Sequence, residues 1–184
     1  MNHHDMTRNM VLAALFAALT AIGAFLQIPT GTVPITLQFL FTALAGLLLG
    51  WKGGAISQPL YVGIGLLGLP VFTQGGGIGY VLQPSFGFLL GLIPAAAVIG
   101  ALTARRTGYL TVLAAVLVGD LILYAVGVPY MYLILHVYMQ SAKTFSALLA
   151  AMLVYVPGDT LKIIVVTALA PVLRRTLAKA VPNL

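Results

Sequence analysis

Residues 146–173 read SALLAAMLVYVPGDTLKIIVVTALAPVL, and Arg174 and Arg175 follow at once. An apolar run of this length closed by a basic pair is the pattern of a membrane-crossing helix. Yet Asp159 and Lys162 stand inside it, where a carboxylate or an ammonium costs roughly 2.5–3.5 kcal/mol even on the mildest insertion scale. Groups at such a depth face a protein interior or a cavity and mark a functional site. The chain has only three acidic residues, and Asp120 lies inside another apolar run.

Moving outward, further apolar runs lie near 8–27, 36–50, 55–69, 86–104 and 109–127, each closed by a Pro/Gly cluster or a basic pair. Hydrophobic residues make up 61% of the 184 and charged residues 7%, against about 25% charged in a soluble domain. The expected fold is therefore an all-α integral membrane protein, a single bundle of six transmembrane helices in one domain, 1–184, with a polar N-terminal tail at 1–7. The second and third runs are short and the third contains Pro59, which predicts tilt or kinking there. The first run is long enough to span, so it is expected to stay as helix 1 rather than act as a cleaved signal. His3 and His4 are too few for a metal site and are read as part of a disordered tail.

Charge placement sets the topology. Arg8, Lys52, Arg105, Arg106, Arg174, Arg175 and Lys179 fall on one side of the alternation, and only Lys143 on the other. By the positive-inside rule both termini are cytoplasmic. Trp51 beside Lys52, and Tyr109 after Arg105 and Arg106, fit interfacial anchors. Basic residues scattered in this way form no nucleic-acid stripe. Without cysteine there is no disulfide framework, thiolate metal site or cysteine nucleophile.

Helix rise brings the buried charges to one level. Asp120 lies about 21 Å above Arg106, Asp159 about 22 Å and Lys162 about 18 Å above Arg174, for upright helices. That level is in the outer half of the bilayer, beneath the loops 28–35 and 70–85, which the topology puts outside. The pattern predicts an outward-facing pocket with loop lids. Asp159 and Lys162, at i and i+3, either hold helix 6 in register as a structural ion pair or present donors and acceptors to a polar ligand. Pro157 favours the second, since a bend just before Asp159 suits a cavity wall. Asp120 carries an uncompensated charge, and Tyr124, one turn on, is its natural hydrogen-bonding neighbour.

Other patterns carry less. Gly63-Ile64-Gly65-Leu66-Leu67-Gly68 satisfies the dinucleotide fingerprint but sits inside an apolar helix with no preceding strand. Gly75, Gly76, Gly77 and Gly79 lack the Lys-Ser/Thr end of a phosphate loop and suit a turn-rich lid. His136 has no evident Ser or Asp partner, so no catalytic set assembles and the chain is not expected to be an enzyme. Ala14, Ala17, Ala18 and Ala21, with Ala13, put small residues at spacings of three and four on helix 1. Such a face serves either packing within the bundle or docking to a separate membrane subunit.

Val33-Pro34-Ile35-Thr36-Leu37-Gln38, Gly68-Leu69-Pro70-Val71-Phe72 and Pro157-Gly158-Asp159-Thr160-Leu161-Lys162, in this order, resemble the BioY family. That family is the biotin-specific substrate-binding (S) component of energy-coupling factor (ECF) transporters. Where the family usually has Gly-Pro-Thr-Gly-Gly-Tyr before helix 4, this chain has Gln83-Pro84-Ser85-Phe86-Gly87-Phe88.

The resemblance implies a multi-pass protein of a prokaryotic cell membrane that captures biotin outside and passes it to an ATP-driven module. Biotin is then the transported substrate, with no cofactor. The implied partners are an integral-membrane T subunit and two ATP-binding subunits, with the alanine face of helix 1 as the docking surface. Asp159 would accept from the ureido N–H groups and Lys162 would donate to the ureido oxygen. Tyr80 or Tyr124 would flank the ring, Gln74, Ser85 or loop amides would take the carboxylate, and Thr36 and Asp120 complete the candidate set. The alternatives are an S component for thiamin or riboflavin, which the acid–lysine motif disfavours, and a small ion-coupled transporter or channel using Asp120, Asp159 and Lys162 as a relay.

Overall fold

The structure is a computed structural model describing residues 3–30, 33–106 and 108–180, with side chains described for 7–30, 33–106 and 108–176. Gly31 and Thr32 of the first loop, and the side chains of His3, His4 and Lys179, lie outside these. Helix α1 is His3–Phe25, α2 Gln38–Leu66, α3 Phe86–Leu102, α4 Tyr109–Leu133, α5 Phe145–Ala151 and α6 Val156–Ala180. Among the described residues four segments are long and apolar enough to cross a membrane, Thr7–Phe25, Gln38–Leu66, Tyr109–Tyr138 and Val156–Thr176. Helix α2 packs on α1, α3 and α6, and α4 on α3 and α6. The tail at 1–7, expected to be disordered, is instead helical from His3, where α1 begins.

One of these segments is not straight. At Gly50 the backbone takes φ 70° and ψ −177°, a conformation open almost only to glycine. Residues 46 and 54 would lie about 12 Å apart along a continuous helix. Instead a Cβ built on Gly54 would come within 2.9 Å of the Gly46 Cα. The same reversal pairs Thr42 with Gln58, Oγ1 to Oε1 at 3.0 Å, and Gln38 with Tyr61, Nε2 to OH at 2.8 Å. Residues 38–49 and 51–66 are thus antiparallel limbs joined at Gly50, the second and third helices of the expected six. The break falls at Gly50, whereas Pro59 lies inside the second limb without interrupting it.

The last apolar run is divided. A 3-10 turn, Met152–Val154, separates α5 from α6. Pro157 lacks an N–H and its ring would collide with the carbonyl four residues back, so it stands in the first turn of a new helix instead of bending an old one.

The two ends of the bundle differ in chemistry. At the basic end the Arg174 guanidinium donates to the Leu47 carbonyl at 2.7 and 3.0 Å and to the Thr103 carbonyl at 3.3 and 3.4 Å. It thereby caps the ends of limb 38–49 and α3 from α6. At the opposite end, the lid end, Gln27–Ile28 and Ile35–Thr36 pair as a two-stranded antiparallel ladder, β1 and β2. Loop 67–85 closes over it with a short 3-10 turn, Ile78–Leu82, and a buried Phe72.

The alanines of α1 do not form one face. Ala13 and Ala17 are 1% and 3% exposed and pack in the core, Ala21 is half-buried, and Ala14 and Ala18 are exposed. Ala17, expected on a partner surface, lies instead inside the bundle, because positions 13 and 17 share the stripe that meets the α2 limbs.

Candidate functional site

The first turns of α6 carry the acid and the amine into the bundle. Asp159 is 6% and Lys162 8% exposed, and Lys162 Nζ lies 2.5 Å from Asp159 Oδ1. A pair buried this deeply is tolerable only when its other donors and acceptors are met. The Tyr124 hydroxyl, from α4, donates to Asp159 Oδ2. Lys162 Nζ also donates to the Thr36 carbonyl at the end of β2, 3.2 Å away.

Counting hydrogen-bonding capacity shows what remains. A carboxylate offers about four acceptor sites and an ammonium three donors. Lys162 and Tyr124 occupy two sites on Asp159, and Asp159 and Thr36 occupy two donors of Lys162. By that count two acceptor sites of Asp159 and one N–H of Lys162 remain.

From Thr36 the polar network runs sideways. Thr36 Oγ1 donates to Gln38 Oε1 at 2.9 Å, Gln38 Nε2 to the Tyr61 hydroxyl, and that hydroxyl to the Val71 carbonyl at 3.1 Å. The base of the site is thereby tied to the lid loop. Within that loop the Tyr80 hydroxyl lies 2.9 Å from Thr73 Oγ1 and 3.4 Å from Ser85 Oγ. The Tyr80 ring rests on Phe72 with centroids 4.5 Å apart.

Asp159, Lys162, Tyr124, Thr36, Gln38, Thr73, Tyr80 and Ser85 line one cavity, whose remaining wall, Tyr155 apart, is apolar and includes Phe39, Phe88, Leu89, Leu92, Leu123 and Met152. Phe88 meets Tyr124 edge to face at 5.9 Å, fixing the aromatic ring beside the carboxylate. The arrangement suits a compact ligand with an apolar body and a polar head that has two donors and one acceptor.

Of the residues expected from sequence, Asp159, Lys162, Thr36, Tyr80, Ser85 and Tyr124 line this cavity together. Gln74 does not: it is exposed on the lid loop and is not among the lining residues. Asp120 also stands outside the lining, half-buried one turn before Tyr124, with one carboxylate oxygen buried and lacking a hydrogen-bond partner. Sequence reasoning overlooked Gln38, Thr73 and Tyr155 as lining residues. Gln38 stood in the Val33–Gln38 stretch as a single polar residue opening an apolar run, which was the available signal. Tyr155 is held by its hydroxyl, which donates to the Val33 carbonyl and lies 2.9 Å from Thr30 Oγ1.

The model of the BioY family matches residues 1–179. The chain belongs to the BioY family. Among its BioY relatives, the probable biotin transporter BioY of Lysinibacillus sphaericus is 51% identical over 142 residues, covering 76% of this chain and 72% of that one. The biotin transporter BioY of Rhodobacter capsulatus is 38% identical and covers 97% of both chains. That of Thermotoga maritima is 35% identical over 89% of this chain and 94% of its own. A solved S-component for biotin from an ECF-type ABC transporter superposes with a TM-score of 0.83 at 30% identity, over 95% of each chain. The bundle described above is thus the architecture of a BioY S component.

Proposed function

We propose that this chain is the biotin-binding S component of an ECF-type transporter in a prokaryotic cell membrane, and that it is not an enzyme. The observation that carries the reading is the residual capacity of the Asp159–Lys162 pair within a cavity of a BioY-family bundle. A ureido ring has two N–H donors and one carbonyl acceptor. It matches the two open acceptor sites of Asp159 and the open N–H of Lys162. The fused apolar ring would rest against Phe39, Phe88 and Leu123, with Tyr124 and Tyr80 at its edges.

In this reading the basic end faces the cytoplasm with both termini, and the lid end receives biotin from outside. As the likeness to an S component of an ECF-type transporter implies, release inside would be carried out with a T subunit and two ATP-binding subunits. Exposed Ala14 and Ala18 are the docking positions on α1. The relatives are named for biotin transport, which disfavours thiamin, riboflavin and an ion relay as the cargo.

Equilibrium titration of the purified chain in nanodiscs with labelled biotin tests the assignment. Saturable biotin binding without nucleotide is expected, and thiamin and riboflavin should not compete. A folded chain with no affinity for biotin would falsify the assignment.

A further inference from the structure

Next to the ligand cavity, at the lid end, lies a second cavity of about 310 Å³. It is lined by Thr30, Lys143, Leu148 and Val154, among others, and it shares Met152 and Tyr155 with the first. Those two side chains are therefore the partition between an outer chamber and the inner site. Tyr155 is fastened across the gap by its hydrogen bonds to Val33 and Thr30, so the partition joins the α5–α6 junction to the loop between β1 and β2.

The outer chamber is apolar apart from Thr30, the Tyr155 hydroxyl and one ammonium. Among the described residues Lys143 has no acidic partner: no acid lines this chamber, and Asp159 of the neighbouring cavity is already paired with Lys162. All the other described cations except Lys162 belong to the basic end. Lys143 is thus an isolated positive charge at the mouth of a low-dielectric cleft, where field lines concentrate and anionic ligands are drawn in.

We infer that this chamber is an encounter site for the carboxylate end of the ligand, with Lys143 as the residue that favours acids over neutral analogues. The inference rests on the proposed function, since it takes the inner site to hold the ureido head. An elongated molecule with a polar head, an apolar chain and a terminal carboxylate has the shape of the two chambers in sequence. Lys143 would hold the carboxylate during entry, and the head would pass the Met152–Tyr155 partition to reach Asp159 and Lys162.

Association kinetics decide it. Stopped-flow binding of biotin and of its neutral amide is measured at low and high ionic strength for the wild type, Lys143→Ala, Lys143→Gln and Lys143→Arg. Association of biotin should slow several-fold in the Ala and Gln variants at low salt, recover in the Arg variant, and converge on the wild type as salt screens the charge. The amide should associate at the same rate with all four proteins. Equal slowing of both ligands, or no slowing of biotin, overturns the inference while leaving biotin binding itself intact. A wild type that binds neither ligand overturns the functional reading, and this inference with it.

Discussion

The Tyr124 hydroxyl donates to the carboxylate of Asp159, 35 residues further along the chain, and so joins α4 to α6 at the base of the cavity. Hydrogen bonds to a charged group are worth about 1.5–3 kcal/mol, and more is lost when the charge is left buried. Tyr124→Phe should therefore lower the melting temperature of the purified protein and weaken biotin binding by up to about tenfold per 1.4 kcal/mol lost from the liganded state. Thermal unfolding with and without biotin checks both effects. A variant with wild-type melting and affinity would mean that the contact is incidental.

Asp159→Asn and Lys162→Ala should each cost a few kcal/mol of binding, the first by removing a charged acceptor, the second by removing a donor and stranding a buried carboxylate. Asp120→Asn should cost much less, because Asp120 does not line the cavity. Isothermal titration of the three variants ranks them. An Asp120→Asn loss as large as that of Asp159→Asn would bring Asp120 back into the site.

The split of the α1 alanines separates binding from transport. Ala14→Trp and Ala18→Trp alter exposed positions, so biotin affinity should hold while uptake in cells carrying the T and ATP-binding subunits falls. Ala17→Trp forces an indole into a site only 3% exposed and should destabilise the bundle itself, since overpacking costs about 1–3 kcal/mol or more. Paired binding and uptake assays read the difference. Normal uptake with Ala14→Trp and Ala18→Trp would place docking elsewhere.

Replacement of Gly50 tests the hairpin. Gly50→Val puts a β-branched residue at φ 70°, ψ −177°, and a residue held in such a region costs of order 1–3 kcal/mol. Gly63→Ala, at a helical glycine with open space around its Cβ position, should be neutral or stabilising. Melting curves in detergent that show the two variants alike would contradict the reversal at Gly50.

Much of this fold was legible because membrane helices advertise themselves by apolar length, and because a charge inside such a run is too costly to be accidental. Asp159 and Lys162 were found on that ground, whereas Tyr124, expected as the hydrogen-bonding neighbour of Asp120, donates to Asp159 instead. Rise per residue put Asp120 at the level of Asp159, but level is not direction: Asp120 lies outside the cavity lining although it sits one turn from Tyr124. Gln74 was misplaced for a related reason, since the course of loop 67–85 depends on Phe72 and Tyr80 packing, which no periodicity encodes. Tyr155 escaped notice because its role comes from the break between α5 and α6. A continuous helix through 146–173 would have turned it elsewhere.

The reversal at Gly50 has a consequence for how the chain sits in lipid. Limb 38–49 rises only about 18 Å, well short of a hydrocarbon core of about 30 Å. The strand-like segment before it must therefore descend below the headgroups, a re-entrant stretch of non-helical backbone at bilayer depth. Such backbone survives only where protein or water covers its polar groups. Here the cover is the β1–β2 ladder on one side and Lys162, bonded to the Thr36 carbonyl, on the other. The lysine of the buried ion pair thus also shelters the dip in the chain beside the cavity.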